Sequence, residues 1–239
     1  MKRVHAGIAL VLGLAVSGTA GASGAFTGRV GLTGGTYEFD AEATSTGCPT
    51  CFPAGTVFFT AEDADNTYGL LLGTGLTAGR FFVDVGAEVS TYSENSDFYR
   101  SDGLLTLGAF IGDRWTVFGG FRNATFGDGV FSETNGNTET GPFLGGGVSF
   151  RAGKRLSMGV SAAYNKITLS DDSGTFEDTD LDGFSLKLQM SFLGTPHAIF
   201  LRGQRFDGEE NVSEFSYIYE YSETYFNLGY QATFDFTSW

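Results

Sequence analysis

The chain has only 2 cysteines, 4 prolines, 2 histidines and 14 basic residues in 239, and beyond its N-terminal stretch it has no long apolar run. A spanning helix needs about 20 consecutive apolar residues, so the body of the chain cannot cross a membrane in that form. Two cysteines are too few for a disulfide-scaffolded miniature fold or a four-thiolate zinc site. The 14 basic residues face 28 acidic ones, leaving a net charge of −14 that would repel a phosphate backbone and makes nucleic acid a poor partner. What is abundant points one way. With 24 Phe, 10 Tyr, 2 Trp and 36 Gly, the composition suits many strands and argues against an all-α fold.

Lys2 and Arg3 precede an apolar run from Ala6 to Val16, and small residues follow, including Ala20-Gly21-Ala22, the A-x-A form cut by signal peptidase. Residues 1–22 read as a secretory signal and 23–239 as the mature domain, with Ala25 as the second candidate for the cut. Loss of Lys2 and Arg3 takes the net charge from −14 to −14 − 2 = −16. No Cys stands at the cleavage point, so no lipoprotein anchor is indicated, and the exported chain meets an oxidising compartment.

Downstream the period is two. Phe184, Leu186, Leu188, Met190 and Phe192 alternate with Ser185, Lys187, Gln189 and Ser191, and Phe81, Val83, Val85, Ala87 and Val89 alternate with Asp84, Gly86, Glu88 and Ser90. Similar segments start at Leu105, Trp115, Leu144 and Leu156. Shorter ones lie at Tyr68–Leu72 and Ile199–Leu201, a Gly-interrupted one near Phe26–Leu32, and a strong last one at Phe226–Phe236. That makes ten strands, with eight or twelve as fallback.

Connections alternate short and long. Tight turns lie near Thr77–Arg80, Gly112–Arg114, Arg151–Arg155 and Leu193–His197, and long segments begin near Asp40, Ser93, Gly127, Ser170 and Asp207. Charge divides the same way. Arg80, Arg114, Arg151, Lys154 and Arg155 sit at short turns, while every acid except Asp84, Glu88, Asp113 and Asp235 lies in or beside a long connection. A soluble sandwich also alternates, but it gives no reason for such an asymmetry. A closed antiparallel transmembrane β-barrel does: periplasmic turns are short, external loops long, and an even strand number puts both termini in the periplasm. Trp115, Tyr225 or Tyr230, Phe236, and Tyr92 with Tyr164 are candidate aromatic girdles.

On these segments the chain resembles the superfamily of small outer-membrane β-barrel proteins, to which OmpA-type and OmpX barrels belong. The resemblance covers the whole mature chain and rests on pattern. Its most specific part is the C-terminal strand, where Tyr230, Phe234 and Phe236 look like the signal read by the barrel-assembly machinery; Trp239 is out of phase with them. The resemblance implies the outer membrane of a Gram-negative bacterium as location. It implies outer-membrane lipid, lipopolysaccharide and the assembly machinery as partners, and no cofactor.

Several constellations compete with this plain reading. Cys48-Pro49-Thr50-Cys51 has C-x-x-C spacing in an external connection, where a local structural disulfide is expected. Asp178, Asp180 and Asp182 before Gly183 match the opening half of a calcium loop, but the twelfth position would be Gln189. The metal reading is therefore weak and a solvated acidic loop is expected. Phe215, Tyr217, Tyr219 and Tyr221 read as a hairpin extending the barrel, with an adhesive surface as the alternative. The only mature His, His197, stands in a periplasmic turn, away from any external nucleophile, so an enzyme is not expected.

By phase, Arg29, Asp84, Glu88, Arg122, Lys187, Gln189, Arg202, Gln231 and Asp235 face the lumen. Charges in a narrow barrel must be paired or hydrated, which predicts either a plug of salt bridges or a water-filled passage. Inward Gly69, Gly73, Gly86, Gly108, Gly120, Gly145, Gly147, Gly159 and Gly229 remove volume, and inward Phe82, Phe110, Phe118, Phe143 and Phe200 restore some. The expectation is a non-enzymatic scaffold for acidic surface loops, with a narrow diffusion channel as the alternative and an adhesin or receptor behind it.

Overall fold

The computed structural model describes residues 24–47, 53–93, 98–128, 137–171, 178–212 and 217–237. Ten antiparallel strands run in chain order: β1 Gly24–Ser45, β2 Val57–Ala78, β3 Phe81–Tyr92, β4 Phe98–Ile111, β5 Trp115–Asp128, β6 Asn137–Arg151, β7 Leu156–Asp171, β8 Thr179–Phe192, β9 His197–Val212 and β10 Tyr217–Asp235. Each pairs with its neighbours, and β1 pairs with β10 from Thr27↔Asp235 to Ser45↔Tyr217, closing the barrel. The ten-strand expectation holds. Closure matters because an open sheet edge cannot be left in hydrocarbon.

Outward positions form an apolar belt. Leu144, Phe184 and Phe81 are 71%, 70% and 69% exposed, a cost in water that is removed when lipid covers them. Trp115, Tyr164, Tyr230 and Phe236 face outward as the girdle reading expects. Tyr92 and Tyr225 do not. Both are buried inside the barrel, because each falls on the inward phase of its strand.

The strands rise well past the belt. A tilted spanning strand uses about 9–11 residues, whereas β1 and β2 have 22 each. Their upper halves carry outward Glu38, Asp40, Glu42 and Glu62 where apolar side chains stood below. Much of the segment beginning at Asp40, expected as loop, is therefore paired strand: Asp40 is opposite Glu62 and Ser222. Likewise Asp207 and Glu209 lie in β9, opposite Ser222 and Glu220. The acidic surface is largely a sheet surface.

At the other end the turns are tight. Gly79 and Gly112 take φ of 60° and 64°, a left-handed conformation that a side chain disfavours, and so reverse the chain in a few residues.

Candidate functional site: the lumen

The inward faces of the ten strands bring charged and aromatic side chains together. Near the short turns, Arg29 donates to Asp84 at 2.6 Å. Two inward positions further along β3, Glu88 accepts from Arg202 at 2.6 Å and from the Thr33 hydroxyl at 2.7 Å. Lys187 stands 4.6 Å over the ring of Phe200. Arg29, Asp84, Glu88, Arg122, Lys187 and Arg202 all face inward, as their phase predicts.

Asp235 is a correction. It is exposed at the end of β10, where its carboxylate accepts from the Thr237 backbone N–H at 2.8 Å. The strand ends there, so the side chain reaches water rather than the lumen charges.

Arg122 finds partners that periodicity missed. Its Nε and Nη2 donate to Asp102 at 3.2 and 3.0 Å, and Nη2 lies 3.3 Å from Glu139. Arg100 joins the same cluster, donating to Glu139 at 3.3 Å and lying 3.9 Å from Glu223. Its guanidinium is held between Phe126 and Tyr225, 4.2 and 3.9 Å from the ring centroids. Tyr221 donates its hydroxyl proton to Glu223 at 2.8 Å. Arg100, Asp102, Glu139 and Glu223 sit in segments expected as external connections, because alternation fades once outward neighbours such as Ser101, Thr138, Thr140 and Ser222 are also polar.

Those polar neighbours place Glu139 and Glu223 above the belt, outside the spanning segments. Both carboxyl groups approach Arg100, Glu139 at 3.3 Å and Glu223 at 3.9 Å. Burial, then the charge of Glu139, pushes Glu223 well above the usual carboxylate range. Burial alone would raise Glu139 too, but Arg100 and then Arg122 outweigh it and hold Glu139 low. With Glu223 neutral, Arg100 and Arg122 face Glu139 and Asp102, and burial pushes the Asp102 carboxyl up to about 7 in spite of Arg100.

Above this cluster Ile167, Leu181, Phe206 and Tyr221 pack together with Phe39, Leu169 and Tyr219. Tyr219 and Tyr221 thus belong to a strand that extends the barrel and point into it. The adhesive reading fails for them because the outward phase carries Glu220 and Ser222 instead.

Several inward glycines face phenylalanine rings. Phe82 is paired across strands with Gly108, Phe118 with Gly145, Phe143 with Gly120, Phe200 with Gly229 and Phe206 with Gly183. In each pair the ring fills the space that a Cβ on the glycine would need. Small and large alternate across the strands, so volume removed at one position is used by the next.

The calcium reading also fails. Asp180 and Asp182 share the outward face of extended β8, where Asp180 pairs with Lys166 and Asp182 with the Tyr164 hydroxyl. A straight strand cannot wrap a cation, and among the described residues no group of acidic, His or Cys side chains could hold a metal. His197 stacks on Tyr230, with its Nδ1 2.6 Å from the hydroxyl, at the short-turn end. Cys48 and Cys51 lie outside the described residues. Tyr230 and Phe234 share the outward face of β10, and just past its end Phe236 is exposed too, its N–H continuing the ladder to Phe26 at 2.8 Å.

No protein-family model matches the chain, and neither does any curated protein. Solved structures do. The outer membrane protease OmpT from Escherichia coli is similar over 91% of this chain and 99% of its own, with a TM-score of 0.54 and 9% identity. An outer membrane channel from Pseudomonas putida F1 is similar over 92% and 98%, with a TM-score of 0.40 and 14% identity. The translocator domain of the autotransporter NalP from Neisseria meningitidis is similar over 96% and 95%, with a TM-score of 0.31 and 10% identity. At such identities the likeness to OmpT is one of fold, and it does not single out OmpA- or OmpX-type barrels. Belt, closure and likeness agree that the chain has the architecture of an integral outer-membrane β-barrel.

Proposed function

We propose that the protein is a closed, non-enzymatic outer-membrane scaffold, exported by the secretory pathway of a Gram-negative bacterium, whose barrel carries an acidic external surface. One observation bears most of the weight: the buried cluster of Arg100, Arg122, Asp102, Glu139 and Glu223, with the apolar layer of Ile167, Leu181 and Phe206 above it. An ion crossing the lumen would have to separate buried pairs and displace packed side chains, each costing several kcal/mol.

The surface this scaffold presents is the outward face of β2, β1, β10 and β9 above the belt. There Asp207, Ser222, Asp40 and Glu62 form one cross-strand row, and Glu209, Glu220, Glu42 and Thr60 the next. Like charges opposite one another destabilise a sheet, so this face is held against a local penalty. Planar-bilayer recording tests the reading. The refolded protein is expected to show no steady conductance; reproducible single-channel steps from pure protein would overturn the scaffold in favour of a channel.

A further inference from the structure

Three of the four short turns end alike. Gly79-Arg80-Phe81, Asp113-Arg114-Trp115 and Lys154-Arg155-Leu156 each set an arginine directly before the first outward apolar side chain of the strand that follows. The backbone carbonyl of each arginine accepts a hydrogen bond from the adjacent strand or its end: Arg80 from Phe110 at 2.8 Å, Arg114 from Ser149 at 2.7 Å, Arg155 from Leu193 at 2.8 Å. These main-chain positions are thus built into the rim of the sheet, and the three side chains leave it at equivalent places. Arg151 and Lys154 add two charges beside Arg155.

All five basic side chains are exposed, and none is ion-paired with a carboxylate among the described residues. Asp113 is the one acid in the three turns. Phe81 and Trp115, 69% and 60% exposed, mark the edge of the apolar belt, so the neighbouring arginines lie at headgroup depth. A chain of net charge −14 therefore gathers a cationic arc where lipid phosphates lie.

We propose that this rim binds the phosphodiester groups of anionic phospholipids in the leaflet around the short turns, with Arg80, Arg114 and Arg155 as the principal contacts. A guanidinium presents a planar fork that matches two phosphate oxygens, and the adjacent Phe or Trp packs against the upper acyl chain. The inference rests on membrane placement and is independent of whether the lumen conducts.

Trp115 is a built-in reporter. In a Trp239→Phe variant it is the sole tryptophan, and its quenching by lipids brominated near the headgroup counts its lipid neighbours. In phosphatidylcholine vesicles, brominated phosphatidylglycerol is expected to be enriched roughly threefold or more over brominated phosphatidylcholine at equal mole fraction. The enrichment is expected to vanish in the Arg80→Gln/Arg114→Gln/Arg155→Gln variant, and for the unsubstituted rim at about 1 M salt, where screening reaches ~3 Å. Should the triple variant not fold, Arg114→Gln and the salt titration decide. Equal quenching by both lipids overturns the proposal. So does enrichment that survives the substitutions in a folded barrel, or arginine-dependent binding of peptidoglycan sacculi without lipid enrichment.

Discussion

The ring of Phe200 lies against the backbone of Gly229, its direct partner across the β9–β10 pairing, in the space that a side chain at 229 would occupy. The pair shows how an inward glycine gives room to a ring on the neighbouring strand. Gly229→Ala is expected to destabilise the folded barrel by about 1–3 kcal/mol through overpacking, while Phe200→Ala loses about 3–5 kcal/mol by leaving a cavity. The double variant should recover part of the sum, because each change relieves the other. Urea unfolding in lipid vesicles measures all three, and strict additivity would show that ring and backbone do not compete for space.

Glu88 and Arg202 meet at 2.6 Å inside the belt. Glu88→Ala leaves a buried guanidinium without its carboxylate and is expected to cost about 3–5 kcal/mol. A variant of native stability whose bilayer conductance or ion preference shifts, from a parent that already conducts, would place water at that pair and promote the channel reading.

Burial and the neighbouring charges make the carboxyls of Glu139 and Glu223 unequal. Glu223→Gln keeps a donor where Glu223 holds its proton and is expected to be tolerated. Glu139→Gln removes the carboxylate that Arg100 and Arg122 both approach at 3.3 Å, and is expected to be clearly destabilising. The pH dependence follows in sign. Glu223 is protonated in the fold above its unfolded value of about 4.3, so its contribution is lost as pH rises from there through its folded value, by at most about 1.4 kcal/mol per pH unit. The stability of Glu223→Gln relative to the parent should therefore increase with pH across that window. Parallel curves for the two proteins would remove the protonated Glu223 from the account.

The mature chain has three lysines, and each occupies a different compartment. Lys166 is exposed on the outer face above the belt, Lys154 is exposed in a short turn, and Lys187 faces the lumen. An impermeant amine reagent on intact cells is expected to modify Lys166 alone, to reach Lys154 once the outer membrane is permeabilised, and to reach Lys187 only after unfolding. Mass mapping that finds Lys154 first would invert the topology.

A bridge between Cys48 and Cys51 would close a very small ring, which on the loop-closure model removes at most about 2 kcal/mol of unfolded-state freedom. Replacing both by Ser should leave heat-modifiable gel migration unchanged. Loss of the folded band would mean that a bridge there holds far more than its own connection.

Inside the belt, lipid on one side and a narrow lumen on the other force opposite chemistry onto alternate residues. The phase of Phe184 against Lys187 or of Val89 against Glu88 is therefore legible without coordinates, and with it the strand count. Above the belt water wets the outer face, alternation weakens, and Arg100, Asp102, Glu139 and Glu223 read as loop. Partner choice was equally out of reach, since Arg202 meets Glu88 across 114 positions of chain, and Arg122 prefers Asp102 on the adjacent strand to any acid that phase alone had assigned. Those pairings, and the use of Gly108, Gly120, Gly145 and Gly229 as room for phenylalanine rings rather than for water, depend on register. Register follows from closing ten strands on one another, so tertiary structure alone decided those pairings.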